Sequence, residues 1–207
     1  MLTSTANSER DTPVLIELRN ARGDSAVIMS LGGIIHEWNI ATEQHGILNI
    51  VLGYPHTHSY LKDPAFHGAI AGRYCNRIAG SSFTLDGQTY TLASNEGTNQ
   101  LHGGPDGFSR RTWNVVEQSD QRLHLSLFSP DGDQGYPGNL DISLIYILDD
   151  DGALSLDWQA SADTNTVVSL TSHAYFNLAV SDDILDHWLR IPADEYTPVN
   201  SEMIPTG

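Results

Sequence analysis

The chain has 207 residues, with 26 acidic and 10 basic side chains and a formal net charge of −16. That length suffices for one domain with a substantial core. Such a charge is repelled by phosphate backbones and anionic lipid, and with Lys62 as the sole lysine no basic patch forms, which argues against nucleic acid and membrane as partners.

Residues 1–13, ending at Pro13, read as a polar leader with no basic n-region and no apolar h-region, so no secretory signal is expected. No apolar run is long enough to cross a bilayer. Cys75 is the single cysteine, which permits no intramolecular disulfide and fits a reducing compartment. A cytoplasmic location is the resulting expectation, with residues 14–207 forming a single domain. Val14–Leu18 and Ile34–Ile40 read as short strands of mixed pattern. A short helical turn is expected around Thr57–Lys62, and His67–Gly72 reads as a strand of small residues.

The strongest hairpin signal is Ser82–Leu85, then Asp86-Gly87, then Gln88–Leu92, because Asp-Gly supplies the positive φ angles of a type I′ turn. Leu123, Leu125 and Leu127 alternate with polar neighbours, as do Leu140, Ile142 and Leu144, and then Leu154, Leu156 and Trp158. A second hairpin across Asp149–Gly152 is expected to join Leu140–Leu148 to Ala153–Ala160. Alternation puts one face in a core and the other in water, as in antiparallel sheets. The pattern therefore predicts an all-β chain, a sandwich or a barrel.

Nine histidines are a generous number, and two keep unusual company. His102 lies in Asn99–Pro105, where glycines would let the backbone approach a ligand. His173 is a polar residue inside the strand-like segment Thr171–Leu178. Histidine exchanges a proton near neutral pH, so two converging on one cleft would suit proton transfer at a sugar oxygen. Each could equally cap a loop or satisfy a backbone carbonyl.

Gly72–Gly80 adds Arg73, Asn76 and Arg77, donors suited to neutral hydroxyls, or else a solvated surface turn. Tyr136 or Trp38 could supply a flat apolar wall for a sugar ring, although core is the usual place for an aromatic side chain. His56-Thr57-His58, with Asp63 and His67 following, has the look of a metal-ligand spacing, but Pro55 marks a loop and no acidic ligand is convincingly spaced, so no metal is assigned. Phosphate-binding glycine loops and a G-x-S-x-G nucleophile elbow are absent from the sequence.

Taken together, Phe66-His67-Gly68, Gly72–Ala79, the Asp86-Gly87 hairpin, Asn99–Gly104, Gly135–Gly138, Ser172–Leu178 and Ile204–Gly207 resemble the aldose 1-epimerase (galactose mutarotase) family in order and spacing. The resemblance implies a galactose mutarotase-like antiparallel β-supersandwich with a sugar cleft, incomplete at its C-terminus. It implies interconversion of the α and β anomers of free hexoses such as galactose and glucose. His173 matches the histidine that acts as general acid on the ring oxygen, and His102 matches a second histidine that hydrogen-bonds the sugar. Asn76 and Arg77 match a pair that contacts substrate hydroxyls, and the only partner implied is a small aldose. No cofactor is required, since moving protons between oxygens takes an acid, a base and orientation.

The family's general base is a glutamate far downstream, and a substrate-binding aspartate also lies further on. Neither has a counterpart here, and Glu195 and Glu202 do not match the base motif. Two other functions stay open at this stage. One is a sugar-binding module without catalysis, and the other is an inactive fragment whose unpaired sheet edges favour self-association.

Overall fold

The computed structural model describes residues 13–181 and 183–207, so the expected leader 1–13 lies outside the described residues except for Pro13. The chain opens with β1 (Leu15–Arg19), β2 (Ser25–Met29), β3 (Ile34–Thr42) and β4 (Gly46–Asn49), antiparallel in that order. β1, expected as a strand of mixed pattern, in fact alternates, with Ile16 and Leu18 inward. β2 is buried on both faces, so it carries no period-2 signal, and its register against β3 shifts between Val27 and Ile28.

Short pieces follow. The turn expected around Thr57–Lys62 is there as a 3-10 helix. After it come β5 (Ile70–Ala71), β6 (Arg77–Ile78), β7 (Ser82–Leu85), β8 (Gln88–Thr91) and β9 (Gln100–Leu101). β7 and β8 are the Asp-Gly hairpin, with φ of 53° at Asp86 and 78° at Gly87. The expected strand His67–Gly72 shortens to β5 because Gly68 leaves the extended region, at φ 67°, where a Cβ would stand 2.3 Å from the Ile35 carbonyl oxygen.

A second sheet then forms from β10 (Asn114–Gln118), β11 (Arg122–Ser129), β12 (Leu140–Leu148) and β13 (Leu154–Ala162), again antiparallel in chain order. The β12–β13 connection is the hairpin expected at Asp149–Gly152, where the Asp149 carboxylate accepts from the amides of Asp151 and Ala153. Finally β14 (Thr171–Ser172) returns across the molecule to pair with β5.

The two larger sheets face one another, which makes the fold a sandwich rather than a barrel. Leu123, Leu125, Leu127, Ile142, Leu144 and Tyr146 meet Ile16, Leu18, Ala26, Ile28 and Ile35 across one continuous core. Burying each such side chain contributes about 1.5–3 kcal/mol, so this interface dominates stability. The Tyr146 hydroxyl crosses it to donate to the Gly33 carbonyl, which leaves no orphaned phenol in the core. In β13 the alternation is only half realised: Leu154 and Leu156 are half-buried and Trp158 is exposed, because β13 is the edge of its sheet. Beyond β14, Trp188 is fully exposed, and Leu185, Leu189 and Tyr196 nearly so. Among the described residues no helix is long and apolar enough to cross a membrane.

Candidate active site

Two small ladders bring the sequence-predicted residues together. β6 pairs with β9, Arg77 opposite Leu101, and β14 pairs with β5, Thr171 opposite Ala71. Asn76 immediately precedes β6, His102 follows β9, and His173 follows β14. Asn76 and His102 both take left-handed backbone angles, φ 62° and 53°, and clamp one another. The His102 amide donates to the Asn76 carbonyl at 3.0 Å, and the Asn76 amide donates to His102 Nδ1, also at 3.0 Å. His173 extends the β5–β14 ladder, its amide donating to the Ala69 carbonyl at 2.8 Å and its carbonyl accepting from Gly68 at 3.0 Å.

The glycines around His102 do something other than expected. At Gly103, with φ 86°, a Cβ would lie 1.8 Å from the Gly72 carbonyl oxygen. The approach they permit is therefore of loop backbone to strand backbone, and it is this contact that sets His102 beside the strand that His173 flanks.

The result is a cleft of about 610 Å³, inside the range of roughly 300–1,000 Å³ common for small-molecule sites. Asn76, Arg77, His102 and His173 all line it. The two imidazoles stand edge to face, with ring centroids 5.0 Å apart. Phe66 packs 4.7 Å from the His102 ring and Tyr175 5.1 Å from the His173 ring, so these two form the aromatic wall. Both lie inside motifs that carry the family resemblance, but the sequence assigned neither a place in the site. Phe66 reaches the cleft through a left-handed backbone at φ 58°, and the Arg110 guanidinium covers its ring at 5.8 Å.

Tyr136, expected as that wall, is not brought to the cleft. It is 1% exposed, its hydroxyl donates to Gln100 Oε1, and burial pushes its phenol pKa up. Trp38 is likewise elsewhere, edge-on to Phe176 at 6.2 Å. Arg73, read as a donor for hydroxyls, is buried beneath the site, with its guanidinium 5.5 Å from the Tyr136 ring. It donates to the carbonyls of Pro137 at 2.9 Å, Gly138 at 3.0 Å and Ser129 at 3.1 Å, tying β5 to the second sheet. The His56 and His58 rings stack at 5.5 Å, and among the described residues no three His, Cys, Asp or Glu side chains gather as a metal site.

Comparison with known proteins decides the lineage. The profile of the aldose 1-epimerase family matches residues 14–207. The chain belongs to the aldose 1-epimerase family. It is 42% identical over 192 residues to the aldose 1-epimerase of Escherichia coli K12, covering 92% of this chain and 56% of that protein. It is also 42% identical to the galactose mutarotase of Bos taurus, covering 87% of this chain and 53% of the other. A crystal structure of a GalM/aldose epimerase homologue from C. elegans superposes with a TM-score of 0.91 at 33% identity, covering 95% of this chain and 60% of that one. The chain thus spans a little over half the length of the curated relatives it matches.

In this member of the aldose 1-epimerase family the surroundings of His102 set its charge. Burial first, then the neighbouring His173 and Arg77, lower the His102 pKa to about 4, with Glu96 pulling the other way. His102 is therefore neutral at physiological pH. Its Nδ1 accepts the Asn76 amide proton, so its own proton sits on Nε2, where it can be donated into the cleft. Arg77 forms a two-point ion pair with Glu96, a residue the sequence reading passed over. Beside the cleft, His67 Nδ1 lies 3.2 Å from the buried Asp63 carboxylate. Burial raises the Asp63 pKa, but the amides of Ala65 and His67, the His67 ring and the Tyr54 hydroxyl outweigh it and hold that carboxyl below the usual range.

Proposed function

We propose that this cleft binds the ring form of a free hexose, galactose or glucose, and supplies the acid half of its anomer interconversion. Ring opening requires that the C1 hydroxyl lose a proton while the ring oxygen gains one. The C1–O5 bond then breaks to give the open aldehyde, rotation about C1–C2 turns the other carbonyl face, and closure yields the second anomer. In this reading His173 protonates the ring oxygen, neutral His102 donates a hydrogen bond from Nε2, and Arg77 and Asn76 hold hydroxyls. Phe66 and Tyr175 offer aromatic faces to the apolar side of the sugar.

The carrying observation is the pair of imidazoles 5.0 Å apart on one cleft, beside an amide and a guanidinium. Among the described residues lining the cleft, Glu96 is the only carboxylate, and both its oxygens accept from Arg77. In this reading no unpaired carboxylate among the described lining residues takes the C1 proton, and lack of a general base typically costs about 10²–10⁴-fold in rate. A cytoplasmic site of action, the expectation from the sequence, belongs to the same proposal.

The test is saturation-transfer NMR with D-galactose and D-glucose, alongside polarimetry of freshly dissolved α-D-galactose. The folded chain should bind, His173→Ala should abolish whatever acceleration the chain provides, and that acceleration should be small. A folded chain with no sugar contact would sink the proposal. Full acceleration that survives His173→Ala would remove His173 from the acid role.

A further inference from the structure

We propose that Glu96 is a positioning residue that orients the Asn76 amide through Arg77, so that the cleft presents that amide to the sugar as a pure hydrogen-bond donor. The inference rests on the sugar-site reading above and adds a determinant of how hydroxyls are read.

The relay consists of three contacts. Arg77 Nε donates to Glu96 Oε2 at 2.6 Å and Arg77 Nη2 donates to Glu96 Oε1 at 2.7 Å. Two parallel bonds fix the guanidinium plane, which a single contact would leave free to pivot. From that fixed plane Nη1 donates to Asn76 Oδ1 at 3.1 Å. A guanidinium has no acceptor, so it selects the oxygen end of the amide and rejects the flipped rotamer. Among the described residues the Asn76 NH2 meets no acceptor, which leaves both its protons for a ligand in the cleft that Asn76 lines.

Glu96 is itself held from behind. Its amide donates to the Asn99 carbonyl at 3.1 Å and its carbonyl accepts from Asn99 at 2.9 Å, closing a turn in which Gly97 takes φ 59°. The buried Asn99 then accepts from the Gly80 amide at 2.9 Å. The carboxylate thus stands on a braced turn beside β6, and its side chain is only partly open to water. Without it, the Arg77 plane and the end of the amide that faces the sugar lose their anchor.

Two independent readouts test the relay on the full chain. In galactose titrations, Glu96→Gln should weaken binding about five- to tenfold, while in an Arg77→Ala background the same substitution should change nothing further, since its whole effect passes through Arg77. Equal affinity of wild type and Glu96→Gln, or an undiminished loss in the Arg77→Ala background, would overturn the inference. Without any sugar, the Asn76 side-chain NH2 should be ordered in 15N relaxation of the wild type and mobile in Glu96→Gln. An NH2 equally ordered in both proteins would overturn the relay even where galactose binds. A wild type that binds neither hexose while Asn76 loses order in the variant would sink the sugar reading and leave the relay standing.

Discussion

Arg73 and Arg77 leave the same short segment and end in opposite surroundings. Arg73 is buried, where its guanidinium serves four backbone carbonyls at the β11–β12 connection and lies over the Tyr136 ring. Arg77 lies on the wall of the open cleft, paired to one partly exposed carboxylate. A buried cation whose partners are carbonyls contributes to the architecture, because removing it strands several acceptors at once. A cation at a solvated cleft costs the fold little when removed, and its value lies in what it can offer a ligand.

The contrast sets the order of expected effects. Arg73→Met should lower unfolding free energy by roughly 3 kcal/mol or more, because the carbonyls of Ser129, Pro137 and Gly138 lose their donor. Urea denaturation reads this directly, and a loss under about 1 kcal/mol would place Arg73 among ordinary surface residues. Arg77→Ala should weaken galactose binding about tenfold, near 1.4 kcal/mol, while the urea midpoint reports a change of less than about 1 kcal/mol. A variant that unfolds instead would erase the distinction between the two arginines.

Tyr136→Phe should cost about 1 kcal/mol of stability through the lost bond to Gln100, with galactose affinity unchanged. Any loss of affinity beyond experimental error would return Tyr136 to the sugar site.

The last effect is a pH dependence carried by His102. Its folded-state pKa of about 4 lies below the ordinary value of 6.5, so the unfolded chain binds the extra proton more readily. Its contribution to stability is complete above pH 6.5 and is lost as pH falls toward 4. Thermal melts of wild type and His102→Gln should therefore converge as pH is lowered through that window, and parallel curves would contradict the burial of this imidazole. Nitrogen-15 spectra at pH 6 should show the neutral ring protonated at Nε2.

Much of the sandwich could be read in advance because its signals are local. The Asp-Gly turn fixed β7 and β8, and strict alternation marked β11, β12 and the outline of β13. β2 escaped because both its faces are buried, and β10 because it is exposed throughout and bulged near Val115. In the cleft, His102, His173, Asn76 and Arg77 converge as the family motifs suggested. Phe66 and Tyr175 stood in those motifs without a role, and Glu96 stood in none, because their meeting depends on how distant loops come to rest. Arg73 and Tyr136 were misplaced for a related reason: a charged or amphipathic side chain next to a motif looks solvent-directed until the layer behind it is known. The hydroxyl of Tyr136 finds its acceptor only once the Gln100 strand is folded over it.

The contact between Gly103 and the Gly72 carbonyl limits how the lining of this cleft could be rebuilt. A library randomised at position 103 would be filtered for folding before it was ever filtered for substrate, because any side chain there collides with main chain. Positions 66 and 175 differ from position 103 in bounding the cleft with side chains rather than backbone. The imidazole pair is held differently, by backbone bonds of the β6–β9 and β5–β14 ladders and the clamp between Asn76 and His102, which changes of side chain at the rim leave in place.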